Sequence, residues 1–197
     1  MAKRVFDLLF SSLGLLLLAP CLVLIAVWIK IGSKGPVFFR QERVGLYGEP
    51  FKIHKFRTMR VDSENVGRLT VGSDARITKE GRVLRKLKLD ELPQLIDVLL
   101  GKMSLVGPRP EVKEFIDFYP QDIKLKVLSV KPGITDKASI EMVDENEILS
   151  KFDEPRLAYI NEILPIKQSY YIDYVDNHSL FLDVKIIFLT FHKIIFR

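Results

Sequence analysis

Two neighbouring acids, Asp90 and Glu91, stand just before an apolar segment in the stretch KLDELPQLIDVLL. Further along, the chain reads GPRP, with Arg109 between two prolines that restrict its backbone. A guanidinium group held in this way suits bidentate binding of a phosphate. A carboxylate pair facing such an arginine could handle a phosphoryl group through a metal ion.

The acid pair is expected at the N-terminus of a helix, because Pro93 is tolerated only in a first turn. There, unpaired N–H groups and the positive end of the helix dipole favour anions. Apolar residues then recur at helical spacing: Leu92, Leu95, Ile96, Leu99 and Leu100. Gly101 would end this helix. Two interpretations stay open from these residues alone, a helix cap made by Asp90 and a phosphoryl-transfer site made by both acids.

Two short strands, PVFFR and PFKIHKF, are expected over residues 36–40 and 50–56, where they would form a hairpin. Lys55 and Arg57 lie at its end with no acid nearby in the sequence, so a phosphate-facing role is predicted for both. His54 could act as a base or a metal ligand, whereas a single histidine on a strand is more often a polar surface or packing residue.

An uncharged, mostly aliphatic segment runs from Leu8 to Ile29, about 33 Å as a helix, which is enough to cross a bilayer core of about 30 Å. Pro20 lies in its middle and predicts a kink. Cations flank the segment on both sides: Lys3, Arg4, Lys30 and Lys34. Because a spanning helix normally shows a charge asymmetry, we expect a re-entrant membrane helix with both ends cytoplasmic. A spanning anchor and a cleaved signal peptide are the alternatives.

The chain has 197 residues, 48% hydrophobic content, a formal net charge of +5 and a single cysteine. This length suffices for one domain with a core, and one cysteine excludes an intrachain disulfide. The modest positive charge suits an anionic membrane surface or a phosphorylated ligand. The sequence shows no zinc-finger spacing, RNP-like motif or long basic run, which argues against nucleic-acid binding.

Together these elements predict an α+β, predominantly helical fold. A re-entrant helix kinked at Pro20 would anchor the protein over residues 1–34, and residues 35–197 would form a compact catalytic domain facing the cytoplasm. That domain would contain the small β-hairpin and interfacial amphipathic helices. Residues 180–196, apolar and edged by charge, predict a helix in the headgroup plane, a core helix, or both at once.

Taken together, the motifs resemble the bacterial sugar transferase family, small monotopic phosphoglycosyl transferases that act on polyprenol phosphate. The matching pieces occur in the family's order over nearly the whole chain: the apolar segment with its proline, PVFFRQERVG, FKIHKFRTM, KLDELPQLIDVLLGKMSLVGPRP, KPGIT and SLFLDVKIIFLT. The resemblance implies a bacterial inner-membrane protein on the cytoplasmic face. It also implies a minimal catalytic version, without the extra N-terminal membrane helices of larger relatives.

The resemblance further implies transfer of a sugar 1-phosphate from a nucleotide diphosphate sugar, expected to be UDP-linked, to polyprenol (undecaprenyl) phosphate, with release of the monophosphate. By the same resemblance Asp90 is the nucleophile and forms a covalent phosphosugar intermediate. Glu91 would handle protons or join Asp90 in holding Mg²⁺. Lys55 and Arg109 map onto phosphate or nucleotide contacts. Asp183 maps there more weakly, with a cap of the last helix as its alternative.

The chain departs from many family members at two places. Ala19 precedes the kink proline where many have serine, and KPGIT continues as DKASI where relatives often read GWAQ. The sugar is therefore not inferred from those relatives. Two other functions stay open: a membrane-anchored scaffold that recruits glycan-assembly enzymes such as downstream glycosyltransferases, and a metal-dependent phosphohydrolase that uses the same acids.

Overall fold

The computed structural model describes residues 1–61, 63, 69–72 and 74–196. Helices dominate this part of the chain and short strands accompany them, so the predicted α+β, predominantly helical fold is confirmed. The helices, α1 to α10 in chain order, are Ala2–Gly32, Lys79–Lys86, Gln94–Leu99, Lys113–Ile116, Gln121–Val127, Lys137–Glu141, Glu145–Leu149, Pro155–Ala158, Leu164–Asn177 and Leu180–Ile195. The strands, β1 to β6, are Phe38–Phe39, Glu42–Val44, Pro50–Lys52, Lys55–Phe56, Ser104–Val106 and Gly133–Thr135.

Helix α1 is long and apolar enough to cross a membrane by its length and composition. It is helical on both sides of Pro20, and the kink expected there stays a prediction. Its buried residues share one face: Asp7, Ser11, Ile25 and Ile29. Large apolar side chains are exposed elsewhere on it, among them Leu9, Leu16, Leu17, Leu24 and Ile31. Both ends of α1 therefore rest on the domain, while much of its apolar surface is uncovered.

Polar contacts hold the first turns of α1. The Asp7 carboxylate accepts hydrogen bonds from the Ser104 hydroxyl and the Leu105 backbone N–H, both at 3.1 Å. Arg4 donates to two carbonyls at the end of α3, at 2.6 and 2.9 Å. Carbonyls at a helix C-terminus have no partner within the helix, so the arginine satisfies α3 and fastens α1 to it.

The far end of α1 is held by apolar packing and by one arginine. Ile25 and Ile29 pack against Phe56 of β4 and Leu84 of α2. Arg57, buried next to them, donates from all three guanidinium nitrogens to backbone carbonyls just after α1, at 2.6, 3.0 and 2.9 Å. The strand that carries Lys55 is thereby joined to the end of the apolar helix.

The strands form three small sheets. Antiparallel pairing of β1 with β4 confirms that the predicted segments 36–40 and 50–56 pair with each other. The second segment is divided into β3 and β4, and β3 pairs with β2, which lies outside the predicted strands. Parallel pairing of β5 with β6 was not expected from the sequence. A Cβ on Gly133 would lie 2.1 Å from the backbone nitrogen of Gly107, so only glycine allows the two segments to approach this closely.

The last helix, α10, has two apolar faces. Ile186 is buried with Tyr174 and Val106, whereas Phe181 and Phe188 are exposed. The side chain of Ser179 caps the helix by accepting from the Leu182 N–H, at 3.2 Å. One face of α10 packs on the domain, as expected. The apolar residues of its other face are uncovered, as contact with lipid would require.

Replacing Arg57 with lysine tests the attachment of α1. A lysine cannot reproduce the planar fork of donors, so at least one buried carbonyl would lose its partner. We expect a loss of about 1–3 kcal/mol in the free energy of unfolding, read as a lower melting temperature in mild detergent. Arg60→Lys makes the same change at a neighbouring exposed residue and should leave the melting temperature unchanged. Equal melting temperatures for the two variants would contradict this role of Arg57.

Candidate active site

Asp90 and Glu91 lie in a single 3-10 turn, Leu89–Glu91, between α2 and α3. Lys88 adopts a left-handed conformation, with φ of 55°, and so turns the chain from α2 into this segment. Both acids are buried, and α3 begins directly after Pro93. The prediction that the acids precede an apolar helix is confirmed, although a separate 3-10 turn carries them.

Lys55 bridges the two acids. Its ammonium group is 2.9 Å from Asp90 Oδ2 and 3.1 Å from Glu91 Oε1. Strand β4 holds Lys55 through pairing of its backbone with Phe39 of β1. Two adjacent carboxylates repel each other, so a shared cation stabilises their joint burial.

Arg109 is a second cation that binds Glu91. Nη1 donates to Glu91 Oε2 at 3.2 Å, and Nη2 donates to Oε1, which makes the pair bidentate. The loop that carries Arg109 is fixed by backbone hydrogen bonds, from the Gly107 N–H to Thr135 at 3.1 Å and from the Gly133 N–H to Pro108 at 3.0 Å. The parallel sheet therefore sets the position of the arginine.

The charges around Glu91 set its ionisation. Burial alone would raise the pKa of Glu91, but the positive charges of Arg109 and Lys55 outweigh it and hold the pKa well below its usual range. In return, the Glu91 carboxylate raises the pKa of Arg109 well above its usual value. Both groups are therefore ionised at neutral pH.

Two further buried residues contribute to the field at Arg109, and the sequence alone did not single out either. They are Asp136, at the N-cap of α6, and Tyr171 of α9. Burial raises the pKa of Asp136, although its carboxylate accepts from the Ser139 N–H at 2.9 Å and the Ser139 hydroxyl at 2.6 Å. The one available signal was the departure from relatives after KPGIT, because Asp136 begins that segment.

A buried cluster of polar side chains holds Glu111, which directly follows the loop that carries Arg109. Glu111 Oε1 accepts from the Tyr159 hydroxyl at 2.7 Å and from the Lys167 ammonium at 3.1 Å. Burial alone would lower the pKa of Lys167, but the negative charge of Glu111 helps to hold it well above its usual value. These residues lie far apart in sequence, so no local motif could have brought them together.

Two predicted substrate-binding residues lie in other contacts. Arg57 binds the carbonyls after α1, as described above. Asp183, in the first turn of α10, accepts from Lys3 at 2.6 Å and from the Tyr174 hydroxyl at 2.8 Å. Arg57 thus joins the end of β4 to the segment after α1, and Asp183 joins α10 to α1 and α9. A role for either in substrate binding stays a prediction.

The acid pair suits a magnesium ion only in part. Among the described residues, no group of three or more His, Cys, Asp or Glu side chains could hold a metal. Mg²⁺, however, commonly takes one or two carboxylates together with substrate phosphates. Both oxygens of Glu91 already accept from Arg109, whereas among the described residues Asp90 forms an ion pair with Lys55 through one oxygen, Oδ2. Asp90 is therefore the better candidate ligand.

Comparison with known proteins gives a whole-chain match. The family model for bacterial sugar transferases matches residues 1–197. The UDP-glucose:undecaprenyl-phosphate glucose-1-phosphate transferase of Escherichia coli K12 is 40% identical over 195 residues, which are 97% of this chain and 39% of that protein. An Aeromonas hydrophila protein, UDP-N-acetylgalactosamine-undecaprenyl-phosphate N-acetylgalactosaminephosphotransferase, is 38% identical over 98% of this chain and 43% of its own length.

A relative of similar length is the uncharacterized sugar transferase EpsL of Bacillus subtilis 168. It is 40% identical over 196 residues, which are 98% of this chain and 87% of that protein. The chain thus spans about two fifths of the Escherichia coli and Aeromonas proteins and most of EpsL. The motifs around the acid pair lie inside all three matched regions.

Replacing Arg109 with glutamine tests the charge pair through pH. Without the arginine, burial should raise the pKa of Glu91 from its depressed value, and the variant should lose about 1–3 kcal/mol of stability at pH 7. An acid whose pKa is lowered in the folded state stabilises the fold fully when the pH is above its ordinary pKa, which is 4.5 for Glu91. This stabilisation decreases as the pH falls below that value. The difference in melting temperature between parent and variant should therefore narrow below about pH 4.5.

The matched control for this experiment is Arg156→Gln. Arg156 pairs with Glu114 at 2.8 Å in an exposed position, where solvent screens the interaction. Its removal should change the melting temperature little at any pH. A difference between parent and Arg109→Gln that stays constant from pH 7 to pH 3.5 would contradict the proposed coupling to Glu91.

Proposed function

Because the chain belongs to the bacterial sugar transferase family, we propose that it is a phosphoglycosyl transferase. It moves a sugar 1-phosphate from a UDP-sugar to a polyprenol phosphate, undecaprenyl phosphate in bacteria, and releases UMP. The observation that carries this proposal is the buried Asp90–Glu91 pair held between Lys55 and Arg109. Relatives named for glucose and for N-acetylgalactosamine transfer support the reaction type, and they differ in the sugar.

In the first step, a carboxylate oxygen of Asp90 attacks the phosphorus that carries the sugar. The bond between that phosphorus and the bridging oxygen breaks, and UMP leaves with the oxygen. The product is a phosphosugar joined to Asp90 through an acyl phosphate. The burial of Asp90 supports this role, because a nucleophile away from bulk water is protected from hydrolysis of its intermediate.

In the second step, an oxygen of the polyprenol phosphate attacks the same phosphorus. The acyl phosphate bond breaks, the Asp90 carboxylate is restored, and a polyprenyl diphosphosugar leaves. The acceptor oxygen is already anionic at neutral pH, so this step needs no proton acceptor. A depressed pKa makes Glu91 a poor proton donor or acceptor at neutral pH, which favours a positioning role for it.

The cations Lys55 and Arg109 are the proposed diphosphate contacts. Before the substrate binds, Glu91 holds both of them next to Asp90. A diphosphate that enters would compete with Glu91 for the same donors, and the guanidinium fork suits its paired oxygens. The groups that neutralise the leaving UMP are therefore preorganised beside the nucleophile.

We also propose Mg²⁺ as the cofactor, with Asp90 as its first carboxylate ligand and Glu91 as a second. When bound with the substrate phosphates, the ion would neutralise part of the negative charge at the reacting phosphorus. The donor set supports this choice, since carboxylate and phosphate oxygens are the ligands that Mg²⁺ prefers.

For location we propose the cytoplasmic face of the bacterial inner membrane, with α1 entering one leaflet as a re-entrant anchor. Two observations support this. Both ends of α1 rest on the same domain, through Asp7 at one end and Ile29 at the other. The uncovered apolar faces of α1 and α10 would also lie next to lipid.

Replacing Asp90 with asparagine tests the nucleophile. Detergent-solubilised protein with Mg²⁺, polyprenol phosphate and a panel of UDP-sugars should release UMP, and Asp90→Asn should lower that rate by at least about 10³-fold. Without the acceptor, intact-protein mass spectrometry of the parent should show the added mass of one sugar phosphate, absent from the variant. Asp117→Asn, the same change at an exposed aspartate, should keep full activity.

Three results would contradict the proposal. UMP release from no UDP-sugar would favour the scaffold. Steady release of free sugar phosphate without polyprenol phosphate would favour the phosphohydrolase. Activity retained by Asp90→Asn would remove Asp90 as the nucleophile.

Cysteine labelling tests the re-entrant anchor. In a Cys21→Ser background, single cysteines at the two ends of α1, Ala2→Cys and Lys34→Cys, should both react with a membrane-impermeant maleimide in inverted vesicles. A cysteine at the exposed Lys113 marks the side of the catalytic domain. Labelling of the two ends from opposite sides of the membrane would establish a spanning helix instead.

A further inference from the structure

A cavity of about 370 Å³, lined by charged and apolar residues, lies between the β2–β3 pair and the end of α3. Its charged and titratable lining residues are Arg40, Glu42, Lys52, His54, Asp97 and Lys102. The acid pair, Lys55 and Arg109 do not line it. The cavity is therefore separate from the proposed reaction centre, although Lys55 follows His54 directly in the chain.

A fixed histidine forms part of the cavity wall. His54 Nδ1 is 2.7 Å from Asp97 Oδ1, and the His54 backbone N–H donates to Asp97 Oδ2, also at 2.7 Å. His54 Nε2 contacts Nη1 of Arg40. An arginine can only donate, so Nε2 is the acceptor in this contact, and Nδ1 faces Asp97. Both oxygens of Asp97 are thus satisfied within the protein, and the imidazole orients Arg40.

The charged side chains that line the cavity, apart from Asp97, carry a net positive charge. Arg40, Lys52 and Lys102 are exposed cations at its rim, and Asp97 is buried and committed to His54. Glu42 is then the remaining acid among the lining residues. A group with negative charge and several acceptor oxygens, such as a phosphate, would be attracted to this set of donors.

The position of the cavity points to a phosphate at a membrane surface. Leu100, which also lines it, is 62% exposed, and Arg4 at the start of α1 donates to the carbonyls at the end of α3 next to Leu100. If the uncovered face of α1 lies in lipid, its first turns lie at the level of the headgroups. The cavity then opens beside an apolar residue at that level, where cations attract anionic lipids.

We infer that this cavity binds the headgroup of an anionic membrane phospholipid. Arg40, Lys52 and Lys102 contact its phosphate, the His54–Asp97 pair holds Arg40 in place, and Leu100 lies against the start of its acyl chains. A phosphate held here contacts neither Asp90 nor Lys55, so the occupant is a bound lipid of the membrane and not the acceptor that reacts. The site anchors and orients the catalytic domain on an anionic leaflet.

Lipid titration of the full chain in neutral detergent tests this inference without using turnover. Dihexanoyl-phosphatidylglycerol should bind, with a raised melting temperature, and dihexanoyl-phosphatidylcholine should bind at least about tenfold more weakly. The triple variant Arg40→Gln, Lys52→Gln, Lys102→Gln should weaken phosphatidylglycerol binding by at least about tenfold. Its melting temperature without lipid should stay near that of the parent, because all three side chains are exposed.

A second triple variant provides the control. Lys113→Gln, Lys126→Gln and Lys137→Gln remove the same charge from exposed positions outside the cavity and should leave phosphatidylglycerol binding unchanged. Equal loss in both triple variants would mean a general charge effect and would overturn the site. Equal binding of the two lipids, or displacement of phosphatidylglycerol by equimolar inorganic phosphate or polyprenol phosphate, would overturn the assignment of the occupant.

Discussion

The ion-paired carboxylate of Glu91 is the interaction on which the rest of the site depends. Arg109 and Lys55 reach it from a loop and a strand that lie far apart in the sequence, and both must arrive for two adjacent acids to be buried. The β1–β4 pairing holds Lys55, and the close contact of Gly107 with Gly133 holds the arginine loop. The small sheets of this mostly helical protein thus position Lys55 and Arg109 next to the Glu91 carboxylate.

A second requirement is the attachment of a long apolar helix to a charged domain. Apolar packing at Ile25 and Ile29 holds one end, and ionic or hydrogen-bonded side chains hold the other. Arg4 binds carbonyls at the end of α3, where backbone acceptors lack partners within the helix. Arg57 binds carbonyls of the segment that follows α1. Helix α1 is therefore part of the fold. A movement of α1 in a membrane would displace α3, the helix that follows the acid pair.

Several expectations from the sequence changed once partners in space were known. Arg57 and Asp183 were expected to bind substrate, and that role stays a prediction. In the fold, Arg57 binds carbonyls after α1, and Asp183 joins α10 to α1 and α9. His54, expected to be a polar surface or packing residue, has a buried carboxylate partner in Asp97. The parallel strand pair was missed because each strand is three residues long and its partner lies beyond α4 and α5. Each case depends on a contact between distant residues, which local pattern does not encode.

The sequence by itself determined the apolar helix, the hairpin, the acid pair ahead of α3 and the family, because these depend on local periodicity, proline and glycine positions and contiguous motifs. Only the tertiary structure decided which cations face the acids. Lys55 and Arg109 contact Glu91, whereas Arg57 binds backbone carbonyls. The buried Glu91 carboxylate requires compensating positive charge, and the folded backbone places Lys55 and Arg109 within reach of it. Charge compensation depends on the distance between charged groups in the folded protein and not on their order in the chain. The order of residues alone therefore could not show it.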